Sequence, residues 1–201
     1  LRMRFNGNSC SRCTAQCRTG AIIIDEDVHI LADNCSLCML CVSECPSDCF
    51  ETQVTDFYSL IGRLRNIRAS VQLPVLGCKA STGAVSHGKT FCFGFLSEEH
   101  LIALAVFLED ALQIDVTDCE NCRNRFILDV LKERIERIET KTAIKISDRI
   151  KLVHNKADLA FQEIPNDRRG FFNELKNRTL RQAAGLFDNY YPDEKMLSYS
   201  A

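Results

Sequence analysis

The residues with chemistry to offer in this sequence are its cysteines, twelve in 201 residues. They recur in C-x-x-C steps, a spacing that brings two thiolates to one side of a tight loop, as metal ligation requires. An even count would also suit disulfides, but disulfide scaffolds are usually short and poor in core residues. Here hydrophobic residues make up 46% and charged residues 26%, the proportions of an ordinary globular chain. Thiolate–metal chemistry in a reducing compartment is the better account, and it places the chain in the cytoplasm.

An internal repeat organises the first eight cysteines. The stretch CSRCTAQCRTGAI (10–22) aligns with CMLCVSECPSDCF (38–50), so that Cys10 falls on Cys38, Cys13 on Cys41, Cys17 on Cys45 and Ala21 on Cys49. The second copy has one more cysteine upstream, Cys35, where the first has Gly7. It therefore reads C-x2-C-x2-C-x3-C-P from Cys35 to Pro46.

That run resembles the bacterial dicluster ferredoxin family, over residues 7–50. In the family motif three cysteines wrap one face of an iron–sulfur cube and the fourth ligates the other cube. The resemblance implies a [4Fe–4S] cluster on Cys17, Cys35, Cys38 and Cys41, with buried thiols or zinc as the plainer reading of the four. It implies a second site on Cys10, Cys13 and Cys45, for which position 7 offers no fourth thiolate. A [3Fe–4S] cluster on three ligands, a [4Fe–4S] cluster completed by a cysteine upstream of Leu1, and an empty site all fit; a filled site is expected. Cys49 is expected to be a small buried residue beside a cluster.

Cys78, Cys92, Cys119 and Cys122 form a second set. Three are expected at strand ends, and Cys119-Glu-Asn-Cys122 spans a strand end and a helix start. In a parallel α/β sheet the strand C-termini converge on one edge. The pattern G-C, C-F-G, C-x-x-C (within 71–125) resembles the small iron–sulfur subunit associated with hydrogenase and heterodisulfide-reductase complexes, which implies a two-iron cluster on these four. A Cys₄ zinc site is equally natural from the spacing, and unligated buried thiols are the third reading.

Other signals have plainer explanations. Gly83 to Thr90 satisfies the phosphate-loop string G-x4-G-K-[ST], but that mechanism needs a strand leading into the first glycine and a helix at Lys89-Thr90. Neither is expected, so the loop serves as a connection. His29, His87, His100 and His154 are scattered and read as surface or core. Glu98-Glu99 reads as helix-start chemistry, and Arg168-Arg169 as a solvated face.

The elements that must position these groups can be read from periodicity. Ile22–Ile24 and Val28–Leu31 are strand candidates across a polar turn. A helix is expected over Tyr58–Ile67, a buried strand over 71–78, a helix from Glu98 to Leu112 capped by Ser97, and a strand over 113–119. An amphipathic helix follows from Arg123 to Ile138, then a strand at IKLVHN and a helix over Arg168–Phe187. The expected fold is α+β: a ferredoxin-like dicluster domain (1–56), a small α/β domain with the four-cysteine site (57–140), and a helical or irregular extension (141–201).

The formal charge of −2 gives no reason to expect nucleic acid, and the longest apolar run, Leu101 to Leu108, is too short to span a bilayer. No nucleophile–base pair or dinucleotide fingerprint is present. The expectation is an electron carrier without its own catalytic site, a relay subunit or domain of a larger oxidoreductase with redox-protein partners. The alternatives are a cluster-stabilised scaffold or redox sensor and, further off, a nucleotide-binding enzyme using the 83–90 loop.

Overall fold

Two sheets and five helices frame the cysteines among the residues described. The computed structural model describes residues 9–25, 27–47, 49–50, 56–68, 70–81, 85–108 and 111–163. The chain divides into two units, Leu1–Glu163 and Ile164–Ala201, and every element described belongs to the first. Gly7, Gly83, the Arg168-Arg169 pair and the helix expected over Arg168–Phe187 lie outside the described residues.

The N-terminal part contains α1 (Arg12–Gln16), the antiparallel strands β1 (Ile22–Ile24) and β2 (Val28–Ile30), and α2 (Leu40–Glu44). Both helices are single short turns, too short to be stable alone. They pack on each other, and α2 anchors to the larger core through Leu40, which is 2% exposed. The register pairs Ile22 with Ile30 and Ile24 with Val28.

The α/β part is built on a four-stranded parallel sheet in the order β4 (Gly88–Thr90), β3 (Val75–Cys78), β5 (Leu112–Asp115), β6 (Ile150–Val153). Every residue of β3 and β5 is buried, as central parallel strands require. The helices α3 (Phe57–Ile67), α4 (Glu98–Phe107) and α5 (Ile127–Thr142) place Leu60, Leu64, Leu101, Leu104, Leu131 and Ile138 in one core with Leu76, Leu112, Ile114 and Ile150 of the sheet. The expected α+β class is present, and the strand expected at IKLVHN is an integral member of this sheet.

Local chemistry sets the boundaries. The Asp56 carboxylate accepts from the N–H groups of Tyr58 and Ser59 (3.1 and 2.9 Å) and starts α3. The Ser97 hydroxyl accepts from His100 N–H (3.2 Å), the cap expected for α4. That helix ends at Phe107 and not at Leu112, because Leu112 donates its N–H to Arg149 O (2.7 Å) and enters the sheet as the first residue of β5. The strand expected from residue 71 begins only at Val75, directly after Pro74, which has no N–H to give a ladder. The helix expected from Arg123 begins at Ile127, since residues 119–125 commit their N–H groups to successive tight turns: Cys119 to Val116 O, Cys122 to Cys119 O, Arg125 to Cys122 O.

Candidate metal centre

The duplication read from the sequence is repeated in the geometry. Helix α1 starts one residue before Cys13 and α2 one residue before Cys41, and each ends just before the next cysteine, Cys17 or Cys45. The Cys17 sulfur accepts the N–H of Ala21 (3.2 Å) and lies 3.6 Å from the Thr19 hydroxyl. The Cys45 sulfur accepts the N–H of Cys49 (3.4 Å) and lies 3.6 Å from the Ser47 hydroxyl. The same two donors, at the same two offsets, serve equivalent sulfurs in both halves.

Cys17, Cys35, Cys38 and Cys41 line one small concavity, walled also by Ile22, Ile30, Met39 and Leu40. Three of the thiols come from one loop and the fourth from the other copy. The loop achieves this by placing Leu37 (φ 55°) and Met39 (φ 65°) in the left-handed region. Neither is a glycine, so the conformation is strained and the surroundings must sustain it.

Two of the four thiols are shifted, in opposite directions. Burial pushes the Cys41 thiol up to about 11, and the neighbouring thiols Cys38, Cys35 and Cys17 push in the same direction. Cys17 is also desolvated, which raises it, yet the Thr19 hydroxyl and the N–H groups of Ala21, Thr19 and Ile22 bring it below the usual thiol range. Four thiols around one concavity, one of them already furnished with donors, have the ligand chemistry that an iron–sulfur core would take. Among the described residues no three His, Cys, Asp or Glu side chains are grouped to hold a single metal ion. A cube makes a different demand, since each thiolate meets a different iron.

In the second trio, Cys10 and Cys45 lie within electrostatic reach of Cys13. Cys13 is raised by burial, against backbone N–H groups that lower it, and further by the charges of Cys45 and Cys10, its neighbours. Burial raises Cys45 too, but the Cys49 N–H and the Ser47 hydroxyl bring it down. Cys49 corrects an expectation: it is exposed, not buried, and its thiol lies 3.1 Å from the Ser47 hydroxyl. Both its backbone N–H and its side chain hydrogen-bond to the Cys45 sulfur.

The other four cysteines collect at the C-terminal edge of the parallel sheet. Cys78 ends β3 beside Thr90 of β4, Cys92 follows two residues later, and Cys119 and Cys122 lie in the turns after β5. Cys78 and Cys92 are buried and the other pair half-buried. A hydrogen bond from Cys92 lowers Cys78 to about 6, and giving that bond drives Cys92 upward. Cys119 is pushed up to about 12 by burial, then by Cys78, Cys122, Asp115 and Asp118. One neighbourhood thus contains all four thiols.

The two thiol regions touch. Asn124, two residues past Cys122, donates from its side chain to Ser36 O (2.9 Å) in the first cysteine loop. The Arg18 guanidinium stacks 4.4 Å over the Phe126 ring. Gly94 lies against the Cys38 carbonyl, where any Cβ would collide with it. Arg134, 3% exposed, reaches from α5 to both regions. The sequence reading missed Arg134, Gly94 and Asn124. Arg134 left a signal: it is a charged residue inside the apolar stripe Ile127, Leu131, Ile135, Ile138.

The remaining motifs resolve as structure. Lys89 and Thr90 belong to strand β4, so the G-x4-G-K-T string lacks the helix start that phosphate binding needs. His87 is buried; its Nδ1 accepts from Val75 N–H (2.9 Å) and its Nε2 is 2.9 Å from Gln162 O. His100 stacks on Phe57 at 4.0 Å. Glu98, at the start of α4, pairs with Arg137 (2.7 Å).

No helix among the described residues is long and apolar enough to cross a membrane. Compared with known proteins, the chain matches no family model, no curated protein and no solved structure.

Proposed function

We propose that this chain is an iron–sulfur electron-transfer protein with a ferredoxin-like N-terminal part, acting as a relay subunit or domain of a larger oxidoreductase in the cytoplasm. The observation that carries the reading is the concavity shared by Cys17, Cys35, Cys38 and Cys41, three thiols from one copy of the repeat and one from the other. A bound [4Fe–4S] cluster supplies one-electron exchange with little change of geometry. The chain's own part is to hold the thiolates, to aim N–H groups at the Cys17 sulfur, and to wall the space with buried Ile22 and Leu40.

Cys10, Cys13 and Cys45 are assigned to a second [4Fe–4S] or [3Fe–4S] cluster. Cys78, Cys92, Cys119 and Cys122 are assigned to a third site, iron–sulfur or zinc. The pairing of a cluster-bearing region with a second thiol set in contact with it supports a relay that passes electrons to a redox partner. The placement of Lys89 and Thr90 in a strand weighs against the nucleotide-binding alternative.

Anaerobic purification with iron, acid-labile sulfide and zinc quantitation, and EPR of the reduced protein, tests this. About eight irons without zinc means two cubanes alone, about seven means one three-iron cluster, and one zinc assigns the third site. A protein that takes up no acid-labile sulfide under strictly oxygen-free conditions ends the reading.

A further inference from the structure

Arg134 stands in the core-facing stripe of α5 with its side chain 4% exposed. A buried guanidinium is costly unless every donor direction is used. Here Nη1 donates to Gly94 O (3.2 Å) and Leu96 O (2.6 Å), while Nη2 donates to Ser43 Oγ (2.8 Å) and Glu44 Oε1 (2.7 Å). The Ser43 hydroxyl also lies 2.6 Å from Gly94 O, to which it donates.

Each acceptor sits on backbone that carries cysteines. Ser43 and Glu44 lie in α2 between Cys41, assigned to the first cluster, and Cys45, assigned to the second. Gly94 and Leu96 belong to the turn that follows Cys92 of the third set. One side chain therefore fastens the frames of all three thiol sets. Apolar residues can fill such a position as well or better when stability alone is wanted. What arginine adds is a rigid fork and a charge that is never lost.

That charge has an electrical consequence. Each electron entering a cluster adds negative charge in a low-dielectric region, and a fixed cation nearby favours the reduced form. Glu44, whose side chain is 30% exposed, opposes it in part. We propose that Arg134 is a positioning residue that joins the three thiol frames and, through its buried positive charge, raises the reduction potentials of the clusters seated on either end of α2. The proposal rests on the electron-transfer reading above.

The test is an EPR-monitored redox titration of the full anaerobic holoprotein, with iron and sulfide content measured for each variant. Arg134→Gln is expected to lower the affinity for the electron about tenfold, ~59 mV for a one-electron couple. Arg134→Lys, which keeps the charge but not the fork, is expected to restore most of that shift. Glu44→Gln is expected to shift the potential in the opposite, positive direction. Wild-type potentials in fully loaded Arg134→Gln and Glu44→Gln overturn the proposal. If Arg134→Gln loses its clusters, Glu44→Gln decides: a positive shift supports the proposal, and no shift or a negative one overturns it. A wild-type protein without acid-labile sulfide ends the electron-transfer reading and this proposal with it, whereas a loaded wild type with unmoved variants ends this proposal alone.

Discussion

The carbonyl oxygen of Cys38 occupies the space that a side chain on Gly94 would need. The cysteine loop of the N-terminal part and the turn after Cys92 meet there with no side chain between them. Gly94→Ala must force the two backbones apart. Because the obstacle is a carbonyl and not a flexible side-chain tip, the loss is expected near the upper end of the roughly 1–3 kcal/mol typical of overpacking. Urea unfolding of the variant, together with its iron content, measures this.

Ligand substitutions are expected to separate the first two sites. Cys17→Ser should remove the cluster on the Cys35–Cys41 loop, a loss of about four irons per chain. Cys13→Ser should deplete the other site and leave that cluster's EPR signal. Cys49→Ser should change neither, since Cys49 belongs to neither proposed ligand set and serine keeps a hydrogen-bonding side chain beside Cys45. Iron and sulfide per chain, with EPR, distinguish the three outcomes.

At the sheet edge, Cys119→Ser is expected to empty the third site without loss of the cubane signals. Cys119 lies in the turns after β5, beside Cys78 and Cys122, while the first proposed cluster would draw its ligands from residues 17–41. Metal analysis of wild type and variant, by iron and by zinc, gives the comparison. Simultaneous loss of both iron populations would show that the sites are not independent.

Leu104 is fully buried on α4 within the core under the sheet. Leu104→Ala should destabilise the protein by about 2–5 kcal/mol, from lost transfer energy plus the cavity left behind. A denaturant midpoint that falls without a change of slope is the expected result.

Glu99 provides a pH dependence with a definite sign. Its carboxylate is held below the usual range by N–H at the start of α4 and by the Ser97 hydroxyl, with Arg134 and His100 contributing charge. A carboxyl lowered on folding contributes stability that is present above its unfolded value, 4.5, and is lost as pH falls through the folded one. Glu99→Gln should therefore be less stable than wild type near neutrality, and the gap should close on acidification below that value. Melting curves of both proteins across that range test the convergence.

Much of this arrangement was legible because its signals are local. Paired strands at residues 22–24 and 28–30 announced themselves by β-branched runs around an acidic turn, and Ser97 by its place before two acids. The repeat was visible because cysteine spacing is a direct imprint of loop geometry. What stayed hidden depends on tertiary partners. Leu112 keeps the i, i+4 spacing of Leu104 and Leu108 and reads as helix, but pairing with the β6 side claims its N–H. Cys49 reads as buried from its neighbours, yet it is exposed and reaches the Cys45 sulfur from the surface. Arg134 acquires meaning only when α2 and the Gly94 turn arrive beside α5, and nothing near it in sequence records that meeting.

The all-parallel order β4-β3-β5-β6 has a consequence for how the protein comes to be. Parallel neighbours cannot be joined by a tight turn, so β3 and β5 meet only after the intervening strand and α4 have been threaded across. Thiols 10 to 45 lie close along the chain and can gather early during synthesis, whereas 78, 92, 119 and 122 are gathered by long-range strand pairing, the slow step of such topologies. The amino-terminal cysteines can therefore come together along the chain before the sheet-edge quartet exists.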